Sequence, residues 1–329
     1  MGSGFISSRL NHCRTIVLSS VLLGLVLLGL SQCSSLWAIC LGLFFIGISA
    51  GIYIPSGIAT ITSLFTPKNW GKALAIHELA PNISFLSAPL IARFMMSFTS
   101  WRGILGFLGI FAILFGAIFA VMGSGGDFPG EAPRAAVCKR LLRDRSFWIM
   151  MVLFSLGIGG TLGIYTMLPL YLVVEKGLDQ NWANTLISIS RISSLFMVFV
   201  AGWATDRLGP ERTLRWIFLL TGIMTVLLGM TSGSWLVIAL IFQPVLAVCF
   251  FPAGFAALAI VVPPETRNVA VSLTVPLGFI VGGGIFPIMI GMAGDYGLFA
   301  AGIVITGIMI MLGTFFSRQL EFRKQQTAL

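Results

Sequence analysis

Charge is scarce in this 329-residue sequence: Asp, Glu, Lys and Arg make up 9% of it, where a soluble domain carries roughly a quarter. That scarcity excludes a water-facing surface for most of the chain, because 57% of the residues are hydrophobic and lipid must be their solvent. Histidine is scarcer still. His12 and His77 are the two present, and neither sits at metal-ligand spacing or in a nucleophilic triad. The five cysteines (Cys13, Cys33, Cys40, Cys138 and Cys249) form no CxxC and no Cys/His pairing, so no disulfide framework, metal centre or cofactor is expected. There is no P-loop, which excludes ATP-driven pumping by this chain. Enzyme chemistry therefore has no constellation to carry it.

What the sequence does contain is long apolar runs and 38 glycines, the composition of helices packed closely in a bilayer. A span needs roughly 20 apolar residues. Ten runs qualify: 15–31, 36–65, 73–98, 101–122, 147–174, 183–204, 213–231, 235–262, 268–291 and 297–316. The expected fold is all-α, a polytopic membrane helix bundle with two pseudo-symmetric halves.

The net charge of +9 would suggest nucleic acid in a soluble protein, but here position decides. Of the 20 basic residues, 16 lie in one alternating set of connectors and the chain ends, two (Arg102 and Lys176) lie in the other set, and Arg93 and Arg191 fall within spans. By the positive-inside rule this asymmetry expects a cell-membrane protein with both termini cytoplasmic. The expected organisation is a four-span bundle over 1–122, a cytoplasmic linker over 123–146, a six-span bundle over 147–316 and a tail over 317–329. Its surroundings are the lipid bilayer, with no nucleic-acid partner.

Two basic connectors match in register. Gly202, Asp206, Arg207, Leu208, Gly209 and Arg212 stand at the same offsets as Gly4, Ser8, Arg9, Leu10, Asn11 and Arg14, 198 positions earlier. A repeat of this length expects two equivalent halves. With the central linker, Gly47–Pro55 and the Trp101-Arg102 pair, these residues resemble the major facilitator superfamily, whose cytoplasmic signature is Gly-x-x-x-Asp-Arg-x-Gly-x-x-Arg. The later copy fits at Gly202, Asp206, Arg207, Gly209 and Arg212. The earlier copy keeps Gly4, Arg9 and Arg14 but has Ser8 for the acid and Asn11 for the glycine. The resemblance implies twelve spans, of which this chain lacks the first and nearly all of the second, through either a start upstream of Met1 or a truncated copy. It also implies that the motif latches a cytoplasmic gate. The alternative is a topology anchor, which explains the arginines but not Asp206.

Ionisable residues inside spans are costly, roughly 2.5–3.5 kcal/mol each, and so nominate the transport site. Arg191 lies roughly 12 Å deep in its span, with Ser188 and Ser194 three residues either side. One reading is an oxyanion-binding guanidinium facing a central cavity; the other is a structural arginine. On the third span Glu78, Asn82, Phe85, Pro89 and Arg93 share one helix face. Glu78 reads as a proton-coupling acid or an ion-pair partner of Arg191, or else as a side chain reaching the interface. Glu78 or Asn82 is expected to approach Arg191, while His77 points off this face as a packing residue. Arg93 reads as snorkelling outward. Glycines and prolines interrupt the fifth, eighth and ninth spans, most simply as places of close helix packing. Tyr165, Gln243 and Tyr53 are weaker candidates for lining a cavity.

The function expected is gradient-driven carriage of a small solute, with an organic anion favoured by Arg191 and a proton or sodium ion as the coupling ion. The alternative is a non-transporting receptor or scaffold.

Overall fold

A computed structural model describes residues 2–130, 132 and 135–320. Arg134 and the tail from 321, with Arg323 and Lys324, lie outside the described residues, as do the side chains of Phe85, Pro89, Arg93 and Cys138. Regular structure among the described residues is entirely helical: α1 (Gly2–Leu10), α2 (His12–Ser31), α3 (Leu36–Leu64), α4 (Trp70–Met95), α5 (Trp101–Met122), α6 (Ala135–Arg143), α7 (Arg145–Ile158), α8 (Ile164–Val174), α9 (Gln180–Leu208), α10 (Pro210–Met230), α11 (Gly233–Ala247), α12 (Phe250–Val261), α13 (Arg267–Ile280), α14 (Phe286–Asp295) and α15 (Phe299–Ser317). Nine of these helices, or end-to-end pairs of them, are long and apolar enough to cross a membrane. The remaining expected span, 73–98, coincides with α4. That helix is long enough at 26 residues but carries Lys72, His77, Glu78 and Asn82.

The breaks fall where glycine and proline interrupt the apolar runs. A π-helical turn at Gly159–Gly163 joins α7 to α8, another at Val281–Ile285 joins α13 to α14, and Val248 and Cys249 separate α11 from α12 four residues after Pro244. Close packing accounts for Gly159, Gly163 and Gly282, whereas a Cβ at Gly283 or Gly284 would make only ordinary contacts. A Cβ at Gly163 would stand 2.6 Å from the Gly282 carbonyl, and one at Gly282 would stand 2.5 Å from the Gly159 nitrogen. One departure from expectation is α6, a nine-residue helix inside the stretch read as linker.

The chain divides into two compact units: one of residues 1–64, 87–141 and 263–273, the other of 65–86, 142–262 and 274–329. Within each, the 198-residue repeat is legible atom by atom. In the first unit the Asn11 amide donates to Ser7 O at 3.0 Å and the Thr15 amide donates to Asn11 O at 3.2 Å. In the second, the Gly209 amide donates to Thr205 O at 3.1 Å and the Thr213 amide donates to Gly209 O at 3.1 Å. Helix crossings repeat at the same offset. Gly24 on α2 meets Gly109 on α5, where a Cβ at Gly24 would lie 2.5 Å from the Gly109 carbonyl. Gly222 on α10 meets Gly307 on α15, where a Cβ at Gly222 would lie 2.8 Å from the Gly307 carbonyl. Backbones this close need glycine on both sides, which is how membrane helices gain packing without a hydrophobic driving force.

Candidate functional site

The motif Gly202–Arg212 joins α9 to α10, and the structure gives its residues separate tasks. Gly209 turns the chain with φ +84°, a conformation that favours glycine. Gly202 brings α9 against the start of α4: an added Cβ would lie 2.7 Å from the Gly71 carbonyl and 2.7 Å from the Ala75 Cβ. That approach delivers Asp206 to the first turn of α4. One of its carboxylate oxygens accepts from the Gly71 amide at 2.7 Å and the other from the Lys72 amide at 3.1 Å. These are backbone N–H groups left open at a helix N-terminus, where a negative charge also meets the positive end of the helix dipole. Arg207 and Arg212 are exposed, the former with Cζ 5.9 Å from the Trp203 ring centroid.

The earlier copy of the motif differs at the two positions where its sequence differs. Asn11 takes the turn with φ 71°, and its side chain accepts from the Arg14 amide at 2.9 Å. Ser8 has no carboxylate, and its hydroxyl donates to its own helix at Phe5 O. Gly4 is buried, while Arg9 and Arg14 are exposed.

Arg191 lies on the buried face of α9, 6% exposed, with Cζ 3.8 Å from the centroid of the Tyr165 ring on α8. A guanidinium over an aromatic face is held by the ring quadrupole, an interaction strengthened when water is excluded. The polar stripe around it differs from expectation. Ser190 and Ser194 are buried, but Ser188 is exposed, because the buried face runs through Ile187, Ser190, Arg191 and Ser194, and Ser188 stands one residue's rotation off it.

On α4, Glu78 is 5% exposed and its carboxylate meets His77 Nδ1 at 3.0 Å. The Asn82 side chain donates to the Glu78 carbonyl at 2.7 Å. Glu78 is therefore paired with the neighbouring His77. His77, expected as a packing residue, is its ionisable partner. Gln243 on α11 is 2% exposed and donates to Gly160 O at 2.8 Å and to Thr225 Oγ1 at 3.2 Å, tying α11 and α10 to the π-helical turn. Tyr165, Arg191, Glu78, Asn82 and Gln243 thus belong to the second unit, and Tyr53, half-buried on α3, to the first.

Against known proteins, the family description "Major Facilitator Superfamily" matches residues 1–198 and again 180–328. The chain is 28% identical over 179 residues to the probable L-galactonate transporter of Escherichia coli strain K12, covering 49% of this chain and 39% of that protein. It is 20% identical over 218 residues to the nitrite extrusion protein of Bacillus subtilis strain 168, covering 65% of this chain and 54% of that one. The chain thus spans about half the length of these curated relatives. The crystal structure of a variant of the E. coli fucose:proton symporter superposes with a TM-score of 0.79 at 16% identity, covering 98% of this chain and 87% of that one. With two family matches, a helical fold of the same kind and the signature turn present in both units, the chain belongs to the major facilitator superfamily.

Proposed function

We propose that the chain is a secondary active carrier that moves a small organic anion across the cell membrane by alternating access, with both termini in the cytoplasm and a proton or sodium ion as the coupling ion. The observation that carries this reading is Arg191. A guanidinium buried deep in a span is costly, and its seat on the Tyr165 ring holds a planar group whose fork geometry suits a carboxylate. Two relatives named for L-galactonate and nitrite, both anions, agree with that choice.

In this reading the two bundles, 1–122 and 147–316, rock about a central site. Asp206 on the α4 amides latches the gate in the state in which the cytoplasmic end is closed, and Arg9, Arg14, Arg207 and Arg212 hold the motif at the membrane surface. The buried Glu78 carboxylate, with His77 and Asn82 beside it, takes up and releases the coupling proton. Tyr165 faces the solute, and Gln243 shapes the path by holding the π-helical turn.

The test is uptake into proteoliposomes of a panel of sugar acids, each matched with its neutral parent sugar. Arg191→Gln abolishes uptake of the acids while membrane insertion and yield stay at the unmodified level. Normal transport by that variant rules out the role given to Arg191.

A further inference from the structure

One cluster of charge takes no part in the carrier reading. The spans α7 and α15 share an end, because the Arg145 guanidinium at the first residue of α7 donates to the Gln319 side chain just past α15 at 2.6 Å. The headgroup layer must lie at this level, where two apolar helices both stop. Arg143, Arg145 and Arg318 are all exposed there. Asp144, the acid among them, is engaged as the N-cap of α7, accepting from the Ser146 amide at 2.9 Å.

Two apolar side chains stand beside these cations. Trp148, one turn into α7, is 49% exposed, and its indole N–H is satisfied internally by Leu142 O at 2.7 Å. Its ring is therefore free to sit among acyl-chain ends, as tryptophans at membrane interfaces do. Leu142 is 45% exposed, while its neighbour Leu141 is buried. By helical spacing Lys139, Arg140 and Arg143 share one edge of α6, with Leu141 and Leu142 on the other. A short helix with a cationic edge and an apolar edge has the pattern of helices that lie in the interface plane.

We propose that Arg143, Arg145 and Arg318, with Trp148 and Leu142, form a docking surface for anionic phospholipid headgroups of the adjoining leaflet. The guanidinium groups pair with lipid phosphates, while Trp148 and Leu142 enter between the chains. A soluble anion would use the arginines but gain nothing from the two exposed apolar groups, which is why the lipid is the chosen occupant. This surface is independent of the carrier reading and is tested by binding alone.

The full chain is reconstituted in vesicles of equal parts phosphatidylcholine and phosphatidylglycerol and re-extracted, and the lipid it retains is counted by mass spectrometry. Unmodified protein retains phosphatidylglycerol in excess. The triple variant Arg143→Gln, Arg145→Gln, Arg318→Gln loses that excess, by roughly fivefold for each cation removed. The triple Arg→Lys variant keeps most of it, as does Lys68→Gln, which removes an exposed cation elsewhere. Equal retention of the two lipids by unmodified protein, or undiminished retention by the Gln variant, overturns the proposal. Should the Gln variant fail to fold, unmodified protein decides: the phosphatidylglycerol excess must fall steeply as salt is raised, and an excess indifferent to salt overturns it equally.

Discussion

Asn11 and Gly209 occupy the same bend in two different helix pairs, with φ and ψ of 71° and 170° in one and 84° and 152° in the other. This region of backbone space is nearly reserved for glycine, so Asn11 carries strain that Gly209 does not. Its side-chain bond to the Arg14 amide offsets part of that strain. Replacing Asn11 by Gly relieves the bend and removes the cap, and the net change is expected within about 1 kcal/mol of zero. Asn11→Ala loses the cap and keeps the strain, and is expected to cost about 1–2 kcal/mol. Thermal unfolding of the purified variants should rank Gly at or near the unmodified protein and Ala clearly below it.

Asp206 holds the acid position of the signature, which Ser8 fills in the earlier copy, and its two backbone acceptor bonds can be removed in steps. Asp206→Asn keeps an oxygen for the Gly71 amide but loses the charge at the α4 N-terminus, at an expected cost of about 0.5–1 kcal/mol. Asp206→Ala loses both bonds and is expected to cost about 1–2 kcal/mol. In the carrier reading both raise the accessibility of cysteines placed along the cytoplasmic path, in the same order. Labelling that does not change in either variant refutes the latch.

Tyr165 tests whether Arg191 is held by a ring or by a hydroxyl. Tyr165→Phe keeps the aromatic face and should leave uptake within about threefold, whereas Tyr165→Leu removes a contact of about 0.5–2 kcal/mol and should weaken solute affinity by about 2–30-fold. A Phe variant as impaired as the Leu variant would move the burden to the phenol oxygen.

Glu78 separates coupling from binding. With Glu78→Gln, accumulation driven by a proton gradient should be lost while exchange of solute across the membrane continues, because the neutral amide cannot release a proton. Loss of exchange as well would make Glu78 part of the solute site.

The sequence announced the spans, the duplication and the breaks because each has a compositional mark: apolar length, a motif at fixed offset, clustered Gly and Pro. It did not announce what Asp206 holds, since backbone amides leave no trace in residue identity. Arg191 was visible as a charge in an apolar run, but Tyr165 as its seat was not. The π-helical turn before α8 departs from 3.6 residues per turn, so counting along the span misplaces which residues face α9. His77 was passed over because adjacent helical residues point about 100° apart, and only its actual rotamer brings it to Glu78. The helix α6 was hidden by the glycines and prolines around it, although Leu141, Leu142 and Arg143 already carried its two-sided pattern.

The two π-helical turns have an effect on how chain length can vary in this protein. A wide turn of this kind stores one surplus residue while the helix on either side keeps its heading. Deleting one glycine from Gly159–Gly163 would let the backbone rewind into ordinary α-helix, leaving α8 and Tyr165 close to their present facing. The same one-residue deletion beside Arg191, where α9 winds without interruption, would swing everything beyond it by about 100°. Lineages of this chain should therefore tolerate single-residue deletions at these two glycine clusters and almost nowhere else within the bilayer.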